Sequence, residues 1–413
     1  MVWGAVLILG LLPSADAVEE WSDFRGPGGQ GHSAATGLPV EWSPTQNVVW
    51  KRPVPGLGWS SPVVSGGRIY LTSAVPVSPD QPNLSLRTLA FDAATGDSLW
   101  DVEVFLQEGE KAPKIHGKNS HASPTVVVRG ERLFVHFGHQ GTACLNRQGE
   151  VLWRNRELSY APVHGNGGTP ALVDQLVVFS ADGASDPFLA ALDQSTGAVR
   201  WKTVRVSDAP KKFSFSTPLV IEVDGQRQII SPGSNSVGAF DPRTGHELWR
   251  VRYTGYSVIP RPVFAGGLLL IGTGYDSPTV MAIRPGGSGD VTDTHVAWTV
   301  KKGAPHTPSL LAVDDRLYMV SDRGVASCLE LQTGQEVWQE RLGGNYSASP
   351  LYAEGRIYFQ SEEGVATVVR AGPSFELLAK NDLAERTLAS YGVDGRALLI
   401  RTAGHLYRIA QPQ

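Results

Sequence analysis

Short apolar segments separated by glycine turns occupy most of this chain. The segments are rich in Val, Ile, Leu, Tyr and Phe, and these residues alternate roughly with polar ones. An alternation of period two is typical of strands with one buried face. The pattern therefore predicts an all-β protein made of many short antiparallel strands.

One phrase recurs along the chain: a hydroxyl residue and a proline, an apolar stretch, a glycine turn, and a second apolar stretch. A phrase repeated at regular spacing is the mark of a repeat architecture. Arg261-Pro262 and Ser390-Tyr391 fill the same slot in two further copies, so we count eight. The six regular copies begin at Ser61-Pro62, Ser123-Pro124, Thr169-Pro170, Thr217-Pro218, Thr307-Pro308 and Ser349-Pro350.

Most copies end in a glycine turn followed by tryptophan, as in Asp92 to Gly96 followed by Trp100. A buried tryptophan covers about 150–250 Å², worth roughly 4–6 kcal/mol before opposing terms. Rings at matching repeat positions are most simply a packing device between neighbouring repeats, and cofactor stacking is the alternative. The docking residues are Trp50, Trp100, Trp153, Trp201, Trp249, Trp298 and Trp338.

Each unit of 40 to 50 residues has room for four strands, and four antiparallel strands in radial repetition form a propeller blade. The last copy, Leu388 to Ile409, has room for only three. Upstream, Asn47 to Lys51 resembles an orphan last strand that carries the missing Trp50. We therefore predict an eight-bladed β-propeller, closed by an N-terminal strand that completes the last blade and removes open sheet edges.

Composition agrees with one large domain, because 41% of residues are hydrophobic and 18% are charged, with 46 Gly and 28 Pro. We assign residues 47–413 to the propeller and 18–46 to an extension that packs on it, and we expect a monomer. A net charge of −4, with no run of Lys or Arg, argues against a nucleic-acid partner.

The N-terminus has the features of a leader. Val2 to Leu12 is apolar, and Ala15-Asp16-Ala17 supplies the small residues before a cleavage site. We predict a signal peptide over residues 1–17 and export to the periplasm or beyond. The apolar run is too short for a transmembrane segment, and no nearby cysteine could carry a lipid anchor.

The phrase Asp-x-x-Thr-Gly-x-x-x-Trp, nearly intact at Asp92–Trp100, Asp193–Trp201 and Asp241–Trp249, resembles the tryptophan-docking repeat of pyrrolo-quinoline quinone dehydrogenases. The same repeat occurs in the periplasmic propeller subunit of the bacterial outer-membrane protein assembly machinery. The resemblance implies the fold. It implies little about activity, because one fold hosts many functions.

The chain departs from the dehydrogenase pattern. Those enzymes carry adjacent cysteines, acidic and amide calcium ligands and a catalytic aspartate, whereas Cys144 and Cys328 lie far apart here. We assign no catalytic residue and no metal ligand, and we expect no cofactor. Pyrrolo-quinoline quinone with calcium, in an alcohol or sugar dehydrogenase, is the alternative to a non-catalytic binding or scaffolding propeller of the cell envelope.

The segments that link successive blades line the mouth of a propeller's central channel, where concave sites form. We expect the partner, an envelope protein, a peptide or a glycan, to bind there. Arg261 replaces a hydroxyl residue and needs an anionic or carbonyl partner, either internal, such as Asp276, or from the ligand. The candidate ligand-binding residues are Arg261, Tyr256, His306, Asn345, Tyr346, Arg386, His116, Asn119, His164 and Asn166.

Overall fold

Eight antiparallel sheets of the predicted kind surround a central channel in the computed structural model of the protein, which describes residues 20–78, 80–109 and 112–412. The predicted eight-bladed propeller is confirmed. The predicted signal peptide, residues 1–17, lies outside the described residues. Within them, no helix is long and apolar enough to cross a membrane.

The strands are numbered β1 to β33 in chain order, and the inner strand of each blade is named first. Blades one to four consist of β2 (Val63–Ser65), β3 (Arg68–Ser78), β4 (Gln81–Asp92) and β5 (Ser98–Gln107); β6 (Val127–Arg129), β7 (Arg132–His136), β8 (Thr142–Asn146) and β9 (Val151–Asn155); β10 (Ala171–Val173), β11 (Leu176–Ala181), β12 (Phe188–Asp193) and β13 (Val199–Val204); and β14 (Leu219–Val223), β15 (Gln226–Gly233), β16 (Ser236–Phe240) and β17 (Glu247–Arg252).

Blades five to eight follow the same plan. They consist of β18 (Val263–Ala265), β19 (Leu268–Gly272), β20 (Val280–Ile283) and β22 (Val296–Val300); β23 (Leu311–Val313), β24 (Arg316–Val320), β25 (Val325–Glu330) and β26 (Glu336–Arg341); β27 (Leu351–Ala353), β28 (Arg356–Gln360), β29 (Val365–Arg370) and β30 (Leu377–Asp382); and β31 (Gly392–Asp394), β32 (Ala397–Arg401), β33 (His405–Ile409) and β1 (Val48–Pro53).

The N-terminal strand closes the ring as predicted. β1 pairs antiparallel with β33, with Lys51 opposite Tyr407. Glu385 strengthens this junction, because its carboxylate contacts Lys51 at 3.7 Å and accepts a hydrogen bond from the Tyr407 hydroxyl at 2.8 Å. Blade eight therefore contains both ends of the propeller chain, and unfolding either end removes a complete interface.

Tryptophans join neighbouring blades by one repeated contact. The Trp201 indole N–H donates to the Pro242 carbonyl in the next blade at 2.9 Å, and the ring lies against Gly245 of the same turn. At Gly245 φ is +71°, and a Cβ atom there would lie 2.5 Å from the ring, so the turn needs glycine for both reasons. Equivalent indole-to-carbonyl bonds to the next blade are made by Trp50, Trp100, Trp153, Trp298 and Trp338.

Trp249 is the exception among the seven. Its indole N–H donates to Gln228 of its own blade at 2.9 Å. The next blade contains an insertion between β20 and β22, in which β21 (Gly289–Asp290) pairs in parallel with β17 and α1 (Thr292–His295) follows. The insertion covers the outer strand of blade four, and Trp249 is fully buried.

A ring of hydroxyl side chains joins the inner strands. Along most of the ring the backbone N–H of one member donates to the hydroxyl oxygen of the next, as Thr169 does to Thr217 at 3.0 Å. We name this set the hydroxyl ring: Ser61, Thr125, Thr169, Thr217, Ser309, Ser349 and Ser390. Arg261 occupies the eighth place and interrupts the series, although its own N–H donates to Ser309 at 2.9 Å.

The hydroxyl ring corrects two predicted repeat positions. In blades two and six the ring members are Thr125 and Ser309, each two residues after the predicted Ser123 and Thr307. A further hydroxyl residue follows the proline in both copies, and the inner strand begins correspondingly later. In blades two and six the Ser-Pro and Thr-Pro pairs therefore belong to the linking segment and do not occupy the position directly before the inner strand.

Residues 20–46 precede the first blade and cross the propeller at the ends of the inner strands. Near blades one and two, the Trp21 and Ser22 carbonyls accept bonds from Val64 and Val128. On the other side of the ring, Gln30 accepts from the Phe264 N–H of blade five at 3.1 Å, and Tyr352 of blade seven donates to Gly31 at 2.8 Å. The segment therefore spans the channel from one side to the other.

Candidate functional site

A cavity of about 790 Å³ lies on the propeller axis. Its wall comes from the blade-linking segments and from the hydroxyl ring, and Phe24 of the N-terminal segment also lines it. Because the segment crosses the channel at that end, the cavity opens at the opposite end, where the linking segments lie. The result is a pocket with one mouth.

Six aromatic side chains follow one another around the mouth. We call them the aromatic arc: His116, His164, Phe213, Tyr256, Tyr275 and His306. Successive ring centroids are 4.9 to 6.0 Å apart, and the closest pair, Tyr275 and His306, is stacked. Such spacings are typical of favourable aromatic pairs. Tyr275 is 52% exposed, so the arc offers a ring face to a ligand.

Polar groups hold the arc in place. Lys211 Nζ donates to the Tyr256 hydroxyl at 2.7 Å, and that hydroxyl donates to Asp276 at 3.2 Å. The Asp322 carboxylate accepts the backbone N–H of His306 at 2.7 Å. Burial opposes ionisation of Asp322, but the hydrogen bonds from His306 and Thr307 outweigh it and lower the pKa of the carboxyl. The ring of His306 is thereby held beside a negative charge.

Charged residues connect linking segments at the edge of the mouth. Lys118, in the segment between blades one and two, contacts Glu362 of blade seven at 2.8 Å. Arg386 donates to the Gly117 carbonyl at 2.9 Å, and its guanidinium lies 5.6 Å from the Trp59 ring. These contacts tie the segment between blades one and two, which also carries His116 of the aromatic arc, to blades seven and eight at the edge of the mouth.

Three overlapping segments of the chain, residues 27–156, 86–290 and 233–372, match the repeat family described as outer membrane protein assembly factor BamB. The chain belongs to this family. The resemblance inferred from the tryptophan-docking repeat is thus confirmed. A comparison with curated protein sequences found no match.

Solved structures of similar shape include BamB from Moraxella catarrhalis, with a TM-score of 0.62 and 13% identity over 89% of this chain and 97% of that one. A computationally designed protein, Ika8, matches with a TM-score of 0.58 and 14% identity over 86% and 100%. A europium-containing methanol dehydrogenase matches with a TM-score of 0.56 and 10% identity over 95% and 98%. At these identities the likeness concerns the fold alone.

The structure brings six of the ten candidate binding residues to the cavity wall. These are His116, Asn119, His164, Tyr256, His306 and Asn345. The other four lie elsewhere: Arg386 is at the rim described above, Arg261 is near the closed end, and Asn166 and Tyr346 are inside the blades.

Arg261 has a different partner from the one suggested by the sequence. Its guanidinium donates to the Phe24 carbonyl at 2.5 Å and contacts the Asp23 carboxylate at 3.3 Å. Asp276, proposed as the internal partner, instead accepts from Tyr256. Arg261 is 3% exposed, and Gly29 packs directly against its guanidinium. The residue that breaks the hydroxyl ring therefore anchors the N-terminal segment.

Asn166 and Tyr346 do not reach the cavity. The Asn166 amide donates to the Phe137 carbonyl at 3.2 Å and accepts from the Tyr160 hydroxyl at 2.8 Å. Tyr346 packs in the core of blades six and seven, where burial raises the pKa of its hydroxyl to about 12. Both side chains therefore pack beneath the linking segments and do not line the cavity.

Sequence reasoning missed several residues of the pocket. Tyr275 lies in the loop between β19 and β20, and Phe24 belongs to the extension. Lys211 and Arg323 add positive charge to the lining. The loop between the second and third strands faces the same end as the linking segments, so Tyr275 could have been found from topology. Phe24 could not, because only the fold shows the extension crossing the channel.

Proposed function

We propose that the protein is a non-catalytic binding propeller of the bacterial cell envelope that takes a ligand or a segment of a partner into the mouth of its channel. The observation that carries the proposal is the pocket with one mouth, about 790 Å³ in volume and flanked by the aromatic arc. Pockets of this size with apolar walls and a few polar groups are typical of ligand sites. The family's description supports a place in the envelope.

The wall of the pocket favours recognition over reaction. The charged lining residues are Lys118, Lys211, Arg323 and a single carboxylate, Asp322. Asp322 is already engaged by His306, and Lys118 by Glu362. Aromatic faces and a few cations suit a partially apolar ligand with anionic or carbonyl groups, such as a peptide.

The residues around the pocket favour the binding function over the quinone alternative. A calcium-bound quinone needs several oxygen ligands close together, and calcium takes six to eight. Across the described parts of the chain, no group of three or more His, Cys, Asp or Glu could hold a metal ion. Cys144 and Cys328 are buried thiols in blades two and six, remote from each other in the repeat order. This donor set weighs against a quinone dehydrogenase.

The test compares the native protein with a mouth variant in which Tyr256 and Tyr275 are both alanine. Both proteins are immobilised and exposed to an envelope extract, and a Leu377→Ala variant on an outer strand serves as the control. We expect native protein and control to retain the same component and the mouth variant to lose it. Equal retention by all three would contradict a binding site at the mouth.

A second arm of the test addresses catalysis. Pyrrolo-quinoline quinone and calcium are added to the purified protein, and cofactor absorbance and dye-linked oxidation of alcohols and sugars are measured. We expect neither stable binding nor turnover. Turnover that the double tyrosine variant abolishes would replace the binding function by an oxidoreductase.

A further inference from the structure

The hydroxyl ring presents donors to the cavity that the protein does not use. Each of its seven oxygens accepts a backbone N–H bond of 2.9 to 3.2 Å from a neighbouring blade. All seven side chains line the cavity, and each is more than nine-tenths buried. Among the described residues no acceptor receives their O–H groups. Since each hydroxyl has one proton to donate, seven donors remain for a group in the channel.

Two buried guanidiniums lie near the closed end of the channel. Arg25 and Arg261 are 1% and 3% exposed; Arg261 pairs with the Asp23 carboxylate at 3.3 Å, whereas Arg25 donates to the Gln30 and Leu310 carbonyls. Arg25 Nε and Nη1 and Arg261 Nε are buried and have no hydrogen-bond partner in the described part of the chain. Burial and the charge of Arg261 lower the pKa of Arg25 to about 9. Arg261 is thus paired with a carboxylate, whereas the hydrogen-bond partners of Arg25 in the described part of the chain are neutral carbonyls, so its positive charge is not neutralised by an ion pair.

We propose that the hydroxyl ring binds an oxyanion, either a carboxylate or a phosphate, on the channel axis below the aromatic arc. An ionised oxyanion only accepts hydrogen bonds, and bonds to an ionised acceptor are the strong ones. This inference rests on the proposed function and deepens it. A ligand with an anionic end at the ring and an apolar part against the arc, such as a peptide with a free C-terminus, uses both layers of the pocket.

The test uses calorimetric titration of the full protein with three probes. They are acetyl-Ala-Ala-Phe as the free acid, the same peptide as its C-terminal amide, and inorganic phosphate. We expect the acid to bind at least tenfold more tightly than the amide. Phosphate binding that competes with the acid would also support the ring and would identify a free oxyanion as sufficient. Equal affinities for acid and amide, or no binding of acid and phosphate, would overturn the proposal.

Ring variants locate the binding. Thr169→Val and Thr217→Val each replace the hydroxyl by a methyl group of similar volume, which removes the O–H donor and also the oxygen that accepts a neighbouring backbone N–H. The loss of one hydrogen bond to a charged ligand group weakens binding by about tenfold or more. The matched control is Ser216→Ala, because that buried hydroxyl donates to the Pro260 carbonyl at 2.8 Å and does not line the cavity. Thr169→Ser and Thr217→Ser retain the hydroxyl and should retain affinity. If a valine variant does not fold, the serine variant at the same position still tests whether the retained hydroxyl preserves affinity.

The same titrations separate this inference from the proposed function. If Tyr275→Ala weakens peptide binding and the folded valine variants do not, the mouth binds the peptide but the ring does not bind its carboxylate. If the valine variants alone weaken binding, the ring is the site. Unchanged binding in all folded variants would contradict both the ring and the mouth.

Discussion

Replacing Arg261 by serine tests how the N-terminal segment is held across the channel. The substitution removes the hydrogen bond from the guanidinium to the Phe24 carbonyl and the ion pair with Asp23, while the new hydroxyl completes the hydroxyl ring. We therefore expect the propeller to remain folded and the segment from Trp21 to Gly31 to loosen. The effect should be local because Asp23 and Phe24 both belong to that segment.

The expected magnitude follows from the burial of the pair. Removing one partner of a buried ion pair costs about 3–5 kcal/mol, and the lower end applies because Asp23 remains 22% exposed at its side chain. A hydroxyl at position 261 can accept a hydrogen bond from the Thr217 N–H, which stabilises the variant by about 1 kcal/mol. Loss of Arg261 also removes its repulsion of Arg25. The free energy of unfolding of the segment should fall by about 2 kcal/mol.

Amide hydrogen exchange measures this change directly. A loss of 2 kcal/mol corresponds to about thirtyfold faster exchange through local opening at the Gly31 amide, which donates to Arg25. Arg243→Ser serves as the control, because Arg243 is largely exposed and pairs only with Asp241 of its own turn in the described structure. Unchanged exchange at Gly31 in R261S would refute the anchoring role. Global unfolding of the propeller would show that Arg261 instead holds the inner strands together.

Three further predictions concern the closure, packing and acid stability of the propeller. Deleting Val48–Pro53 should leave blade eight with an open edge. We expect urea unfolding to lose its cooperativity and light scattering to show aggregation, and a deletion variant that unfolds like the native protein would contradict closure by β1. Trp201→Ala should lower the free energy of unfolding by about 3–5 kcal/mol in urea titrations, and a change below 1 kcal/mol would contradict its docking role. Burial lowers the pKa of His136 from its ordinary 6.5 to about 3, so the folded state disfavours protonation. Its contribution is complete above about pH 6.5 and is lost as the pH falls towards 3, by up to about 4 kcal/mol. In His136→Gln the midpoint of urea unfolding should depend less on pH between these values. An unchanged pH dependence would contradict the contribution of His136 to acid unfolding.

The repeat was readable from the sequence because it is local. Each glycine turn and tryptophan lie a few residues apart, and the orphan strand with Trp50 follows from counting strands. The residue that joins the hydroxyl ring was harder to predict in blades two and six. There hydroxyl residues stand both before and after the proline, at Ser123 and Thr125 for example, and only the start of the inner strand decides between them.

The pocket was harder to predict because its contacts are remote in sequence. Asp23 and Arg261 are separated by 238 positions, and no periodicity relates them. Tyr346 and Tyr275 are alike in type, but one is buried between blades and the other is exposed at the mouth. Side-chain direction depends on how the linking segments turn, and residue type alone does not determine it.

Photocrosslinking from the mouth tests the central claim most directly. A photoreactive phenylalanine analogue replaces Tyr275 in the full-length protein, and the same analogue at Leu377 on an outer strand reports background. Irradiation of intact cells should crosslink one specific partner or ligand from position 275 and not from 377, and Tyr256→Ala should reduce its yield. No specific product at position 275, or the same products from both positions, would contradict binding at the mouth of the channel.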